Sequence, residues 1–208
     1  RELPTISRRQ RQMCIRDRSV GCGSVAWGAS HVAVSLTFGA VVTLAILLFG
    51  GWSGAHINPA VSVAFWRDGQ LEGRLLPAYM LAQYAGALFG ASLVAGAAPT
   101  SVVPSMTLAA GFSVEISITL ALMASILFIV QRTSSRPVVA VWVGATVALL
   151  AFLAGPLTGA SMNPARTFGP NVLNAMWASL PFYVVSTTLG AWLAVDFKRR
   201  YFPDDVKP

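Results

Sequence analysis

Five apolar stretches dominate the chain, at roughly residues 31–50, 75–96, 112–131, 137–156 and 180–197. Each is close to the length, about 20 residues, that a helix needs to cross a bilayer. The 208 residues are 55% hydrophobic and 11% charged, against about a quarter charged in an average soluble domain. One soluble core of this size cannot hide so much apolar surface, so the bilayer is the solvent that fits. The expected fold is all-α, a multi-span membrane bundle in a single domain.

Two shorter segments interrupt the series. Asn58 to Trp66 lies between the first and second stretches, and Asn163 to about Leu173 between the fourth and fifth. Half-span segments marked by Pro and Gly, at matching places in two halves, signal broken helices that meet at the membrane centre. The halves do match. Ala-His-Ile-Asn-Pro-Ala-Val at 55–61 answers Ser-Met-Asn-Pro-Ala-Arg at 161–166, and each follows a Gly-rich approach (Gly50, Gly51, Gly54; Gly155, Gly159). The second half reads span, span, half-helix, span; the first lacks the opening span. The expected architecture is two inverted repeats, with five full spans and two half-helices at the midplane.

Charge sets the orientation. Arg67 and Arg74, Arg132 and Arg136, and Lys198 to Arg200 all fall on one side if the spans alternate, while 97–111 and 171–179 carry no charge. The positive-inside bias makes the charged side cytoplasmic. Residues 1–18, with six of the fifteen basic residues, would then lie outside. A first helix lost through truncation or a faulty gene model would explain both the parity and the incomplete repeat; a cytosolic arm or targeting sequence is the alternative. The expected divisions are a basic segment 1–18 outside the fold, a channel domain 19–202 (incomplete first repeat 19–96, second repeat 112–202) and a tail 203–208. The net charge of +7 forms no basic face with interleaved aromatics, so no nucleic-acid partner is expected. Cys14 and Cys22 are too few for a disulfide framework and lack a partnered metal motif. His31 and His56 have no carboxylate nearby in sequence. No metal, cofactor or enzymatic activity is expected.

Asn-Pro-Ala has a physical meaning at a helix start. Asn is among the best N-caps, because its side-chain oxygen accepts a first-turn N–H. Pro suits the next position, where its missing N–H costs nothing. Asn58-Pro59-Ala60 and Asn163-Pro164-Ala165 therefore each open a helix, leaving each Asn NH₂ free to point elsewhere. In lipid, such starts are tolerated only inside protein or along a wet cavity. Two of them facing each other bring two partial positive ends, roughly half a charge each, to one place.

The paired motifs His-Ile-Asn-Pro-Ala-Val (56–61) and Met-Asn-Pro-Ala-Arg-Thr-Phe-Gly-Pro (162–170), in this order within a repeat, resemble the major intrinsic protein family of aquaporins and aquaglyceroporins. The resemblance covers about residues 19–202. It implies a passive channel in which the two Asn amides orient a permeating molecule, and half-helix dipoles with an Arg exclude protons and ions, as is known for aquaporin-type pores. It implies a homotetramer in the plasma membrane, each subunit conducting water or another small neutral solute. By spacing from the asparagines, it places a four-residue filter at Phe38, Ala151, Ala160 and Arg166. An arginine in a membrane segment costs about 2.5–3.5 kcal/mol on insertion scales, which marks Arg166 as functional.

Ala151 departs from the His usual in strict water channels of this family, and with Ala160 implies a wider, more apolar mouth. Thr167 stands where glycerol channels carry Asp, and Tyr183 resembles the water type, while Val184 replaces the usual Trp. Water alone, or water with glycerol or ammonia, therefore both stay open. The resemblance also implies that Glu115 accepts hydrogen bonds from backbone of the second pore loop and that the His56 carbonyl faces the pore. The symmetry mate of Glu115 would lie on the lost first helix, leaving the first loop without that brace. Gln83 is a candidate to hold that loop, and Gly86, Gly90, Gly144 and Ala148 have the small-residue spacing of close helix packing. A secondary transporter and a non-conducting fragment are the alternatives. The former needs a coupling-ion site, for which Glu115 alone is thin support.

Overall fold

The computed structural model describes residues 28–94 and 97–203, together with 8, 10–12, 14, 15, 24 and 25. From residue 28 onward the described residues form α1 (His31–Ser53), α2 (Pro59–Arg67), α3 (Leu76–Ser92), α4 (Leu108–Arg132), α5 (Arg136–Thr158), α6 (Pro164–Leu173) and α7 (Leu180–Tyr201), in chain order. Among the described residues the regular structure is all helical, as expected. Short 3₁₀ turns, Gly73–Leu75 and Trp177–Ser179, lead into α3 and α7.

Local chemistry sets the ends. Ser30 caps α1 by accepting from the Ala33 amide, and Thr107 caps α4 through the Ala110 amide. Both α1 and α5 stop at a left-handed glycine, Gly54 (φ 64°) and Gly159 (φ 73°), which has no Cβ to oppose that conformation. Helices α1, α4, α5 and the segment Trp177–Tyr201 are long and apolar enough to cross a membrane. The span expected at 75–96 is shorter: α3 has 17 residues, about 26 Å at 1.5 Å per residue. The preceding 3₁₀ turn adds one more helical turn to it.

The exposure pattern is inverted relative to a soluble protein. Leu36, Leu44, Leu81, Val141, Leu149 and Leu153 are more than half exposed, while Gln83, Glu115, Thr158, Ser161 and Asn171 are buried. Apolar outward and polar inward is what lipid as solvent requires.

Two crossings hold the repeats. α1 meets α5 at Gly39 and Gly144, where a Cβ on either would lie 2.5–2.6 Å from the other's carbonyl oxygen. α4 meets α7 at Gly190, where a Cβ would lie 2.5 Å from the Ile116 carbonyl. The half-helices cross over: α2 packs on α7, and α6 on α3.

The N-terminal residues depart from expectation. Residues 8, 10–12, 14 and 15 are helical, with Gln10 and Cys14 fully buried and Arg8 and Arg11 exposed. They pack on Gly86, where a Cβ would lie 2.6 Å from the Arg11 carbonyl and 2.8 Å from the Cys14 Cβ. In the second half Gly190 meets Ile116 and Thr119 in the same way; these two stand 105 positions beyond Arg11 and Cys14, and Gly190 stands 104 beyond Gly86. The described part of segment 1–18 thus takes the place expected to be vacant, rather than standing outside the fold. The physical reason is periodicity. Gln10 and Cys14, four apart, put two uncharged side chains on one helical face, which a count of arginines does not register.

Candidate pore

Both Asn-Pro-Ala turns are helix starts. Asn58 and Asn163 have extended backbones (φ −145° and −157°) ahead of α2 and α6. Asn58 Oδ1 accepts from the Ala60 amide at 2.9 Å; Asn163 Oδ1 accepts from Ala165 at 3.0 Å and Arg166 at 3.3 Å. The amide nitrogens, expected to be free to point elsewhere, each have a partner in the other half. Asn58 Nδ2 donates to the Met162 carbonyl at 2.7 Å, and Asn163 Nδ2 to the Ile57 carbonyl at 3.0 Å. Each asparagine is tied to the other half's loop, so the two tips confront each other. An amide has two donors. One N–H of each is used across the repeat, and the other is the group offered to whatever fills the space beside it.

That space is a cavity. Phe38, His56, Asn58, Ala151, Ala160, Asn163 and Arg166 all line it. Pro59, Ala60, Pro164 and Ala165 are buried in the first helical turns behind the asparagines. Arg166 extends from the first turn of α6, where its charge opposes the helix dipole. Its Nη1 donates to the Gly159 and Ala160 carbonyls at 2.7 and 3.1 Å, and its guanidinium lies 4.5 Å from the Phe38 ring centre. That is cation–π distance.

The second loop is strained and braced. Ala160 and Met162 hold positive φ (43° and 51°), unusual for residues with a Cβ. Glu115, fully buried, accepts from Thr158 Oγ1 (2.7 Å) and the Ser161 (2.8 Å) and Met162 (3.0 Å) amides. A carboxylate taking three donors from one loop fixes that loop's carbonyls toward Arg166.

The first loop has a brace of a different kind. Gln83 Nε2, from α3, donates to the His56 carbonyl and to Ser62 Oγ, and Cys14 Sγ lies 3.9 Å from the Ile57 carbonyl oxygen. Gln10 stands as far before Asn58 as Glu115 does before Asn163, and it hydrogen-bonds Tyr79. The expected lack of a brace gives way here, and the His56 carbonyl, on a residue that lines the cavity, is not left to the pore alone. Gln83 holds that carbonyl, and the His56 side chain instead stacks on Phe65 (4.6 Å) and meets the Tyr79 ring edge (5.4 Å).

Sequence reasoning missed the walls of one half of the cavity. Val42 and Ile46 on α1, Leu122, Ile126 and Val130 on α4, and Val139, Val143 and Val147 on α5 line it. Their spacing of four was legible: 38-42-46, 122-126-130 and 139-143-147-151 are each one helix face. Nothing in an all-apolar helix, however, says which face meets a cavity and which meets lipid.

The sequence model of the family described as "Major intrinsic protein" matches residues 14–196. The chain belongs to the major intrinsic protein family. Aquaporin AqpM of Methanothermobacter marburgensis is 33% identical over 195 residues, covering 85% of this chain and 79% of that protein. The glycerol uptake facilitator protein of Pseudomonas aeruginosa is 35% identical over 72% of this chain and 65% of its own length. Mouse aquaporin-4 is 36% identical over 90% of this chain and 64% of its own. The X-ray structure of the aquaglyceroporin from Plasmodium falciparum shares the fold, with a TM-score of 0.83 over 96% of this chain and 95% of that one at 24% identity. As a major intrinsic protein, the chain is an integral membrane protein of a channel family.

Proposed function

We propose that this protein is a passive channel for water and small neutral solutes of glycerol size. The observation that carries this reading is the pair of cross-tied asparagines, Asn58 and Asn163, flanking one cavity with Arg166 set over Phe38. Two helix N-termini meeting there place partial positive charge beside the passage, and Arg166 adds a full one, so cations are repelled. A molecule bonded through its oxygen to both Asn N–H groups turns its hydrogens away, which interrupts a chain of water capable of carrying protons. Glycerol-sized solutes fit the reading because Ala151 and Ala160 bring two small apolar side chains to the same cavity wall that carries the polar Arg166. The carbon backbone of a polyol has a surface to lie on, and its hydroxyls have a donor.

Phe38, Ala151, Ala160 and Arg166 act as the filter, and Glu115 and Gln83 as supports of the two pore loops. Both Glu115 oxygens already accept from loop donors, which disfavours a coupling-ion role and with it the transporter alternative. The assembly is a homotetramer in the plasma membrane, by likeness to the family. The deciding measurement is osmotic swelling of proteoliposomes in sucrose and in glycerol gradients. Flux linear in solute concentration, with weak temperature dependence, supports the channel; saturable, ion-dependent uptake refutes it.

A further inference from the structure

Helix α5 does not complete its own hydrogen bonding. Pro156 stands inside its last turns and has no N–H, so the carbonyl of Phe152, four residues earlier, lacks a helical donor. His31, the first residue of α1, supplies one. Its Nε2 lies 2.8 Å from the Phe152 oxygen, and because a carbonyl only accepts, the ring nitrogen donates. The imidazole also stacks on the Phe152 ring, with centres 5.4 Å apart and planes 21° apart. It covers Gly155, where a Cβ would come within 2.7 Å of the ring.

The location of this contact gives it a consequence. His31 and Phe38 are seven residues apart on α1, hence on one face and separated by about 10 Å of helix rise. On α5, Phe152 follows Ala151, and the same helix runs on to the Gly159 and Ala160 carbonyls that accept from Arg166. The bond therefore joins the helix that carries Phe38 to the helix that carries Ala151, close to where both reach the cavity.

We infer that His31 is a positioning residue for selectivity: by donating to the carbonyl that Pro156 leaves without a helical partner, it holds the end of α5 against α1 and sets the gap between Phe38 and Ala151. This rests on the reading of those residues as filter. Without the donor, the Phe152 carbonyl must turn toward another partner, and the α5 end that presents Ala151 and Ala160 turns with it. The mouth widens, and discrimination between water and a polyol falls.

The test is the ratio of glycerol to water flux in proteoliposomes. His31→Phe keeps a stacked ring but removes the donor, and is expected to raise the ratio by about threefold or more. His31→Gln, which keeps an N–H, is expected to stay near the parent. Pro156→Ala returns an N–H to the Phe152 carbonyl, so in its presence His31→Phe should leave the ratio unchanged. A folded, conducting His31→Phe protein with the parental ratio overturns the inference, as does an equal effect with and without Pro156→Ala. If His31→Phe alone does not fold, the double variant decides: parental flux supports the tether, and failure to fold there too overturns it. Phe38→Ala separates the two readings. If it leaves the ratio unchanged, the filter assignment falls and the inference with it; if it moves the ratio and His31→Phe does not, only the tether falls.

Discussion

Arg166 shows how a residue costly in the membrane is made stable. Its charge opposes the α6 dipole, and it is held by two backbone carbonyls and an aromatic face. Those carbonyls are available because Ala160 adopts a left-handed conformation, and the loop keeps that strain because Glu115 takes up its neighbouring amides. Arg166→Ala is expected to raise proton leak and polyol flux by about tenfold, read with a pH-sensitive dye inside vesicles and by swelling. The chain of support makes Glu115 the residue on which most depends. Hydrogen bonds to charged groups contribute about 1.5–3 kcal/mol each. Glu115→Gln, which removes the charge and turns one acceptor into a donor, is expected to destabilise the protein by on the order of 3 kcal/mol. Thermal denaturation in detergent measures this, with Thr158→Val as a smaller comparison.

Among the elements, the half-helices depend on partners in the other repeat. The end of α2 is fastened to α7 by the buried pair Lys198–Asp68 (2.7 Å), and by Arg67, which bonds Asp196 and the Trp192 carbonyl and lies over the Trp192 ring. Removing one partner of a buried pair leaves a charge uncompensated, at a cost of about 3–5 kcal/mol. Lys198→Met should therefore unfold at markedly lower temperature, and adding Asp68→Asn should recover much of the loss, because the orphaned charge is gone. The α1–α5 crossing fails for a different reason. Gly39 and Gly144 leave no room for a side chain, and overpacking costs about 1–3 kcal/mol even where neighbours can shift. Gly144→Leu has carbonyl oxygen and the Thr43 hydroxyl in its way. Its expected outcome is loss of monodisperse protein by size exclusion, with Gly144→Ala intermediate.

Taken whole, the molecule is a pair of half-structures that stabilise each other at their centre, where each asparagine is bonded to the opposite loop. Much of this was legible beforehand. Apolar runs of about 20 residues located the long helices; Asn-Pro-Ala located both half-helix starts, because N-cap and N1 preferences are local. Spacing from the asparagines led to four residues that do line one cavity. The misses have a common cause. The asparagine amides were read as free to point elsewhere, with no partner foreseen, the first loop as lacking its brace and residues 1–18 as apart from the fold, each judged from its own neighbourhood. In the fold, partners 27 to 106 residues away decide all three: Met162 and Ile57 take the amides, Gln83 holds the first loop, and Ile57 and Gly86 receive Cys14. The sequence by itself determined what is set by short-range chemistry and by solvent: that the chain crosses lipid, where its helices begin, and that it is built twice. Only the tertiary structure decided which face of each apolar helix meets the cavity and which carbonyl receives each donor. In lipid the outward face is apolar and most of the inward face is apolar too, so hydrophobic periodicity alone names no inside, and a buried polar group takes the partner that packing brings within reach.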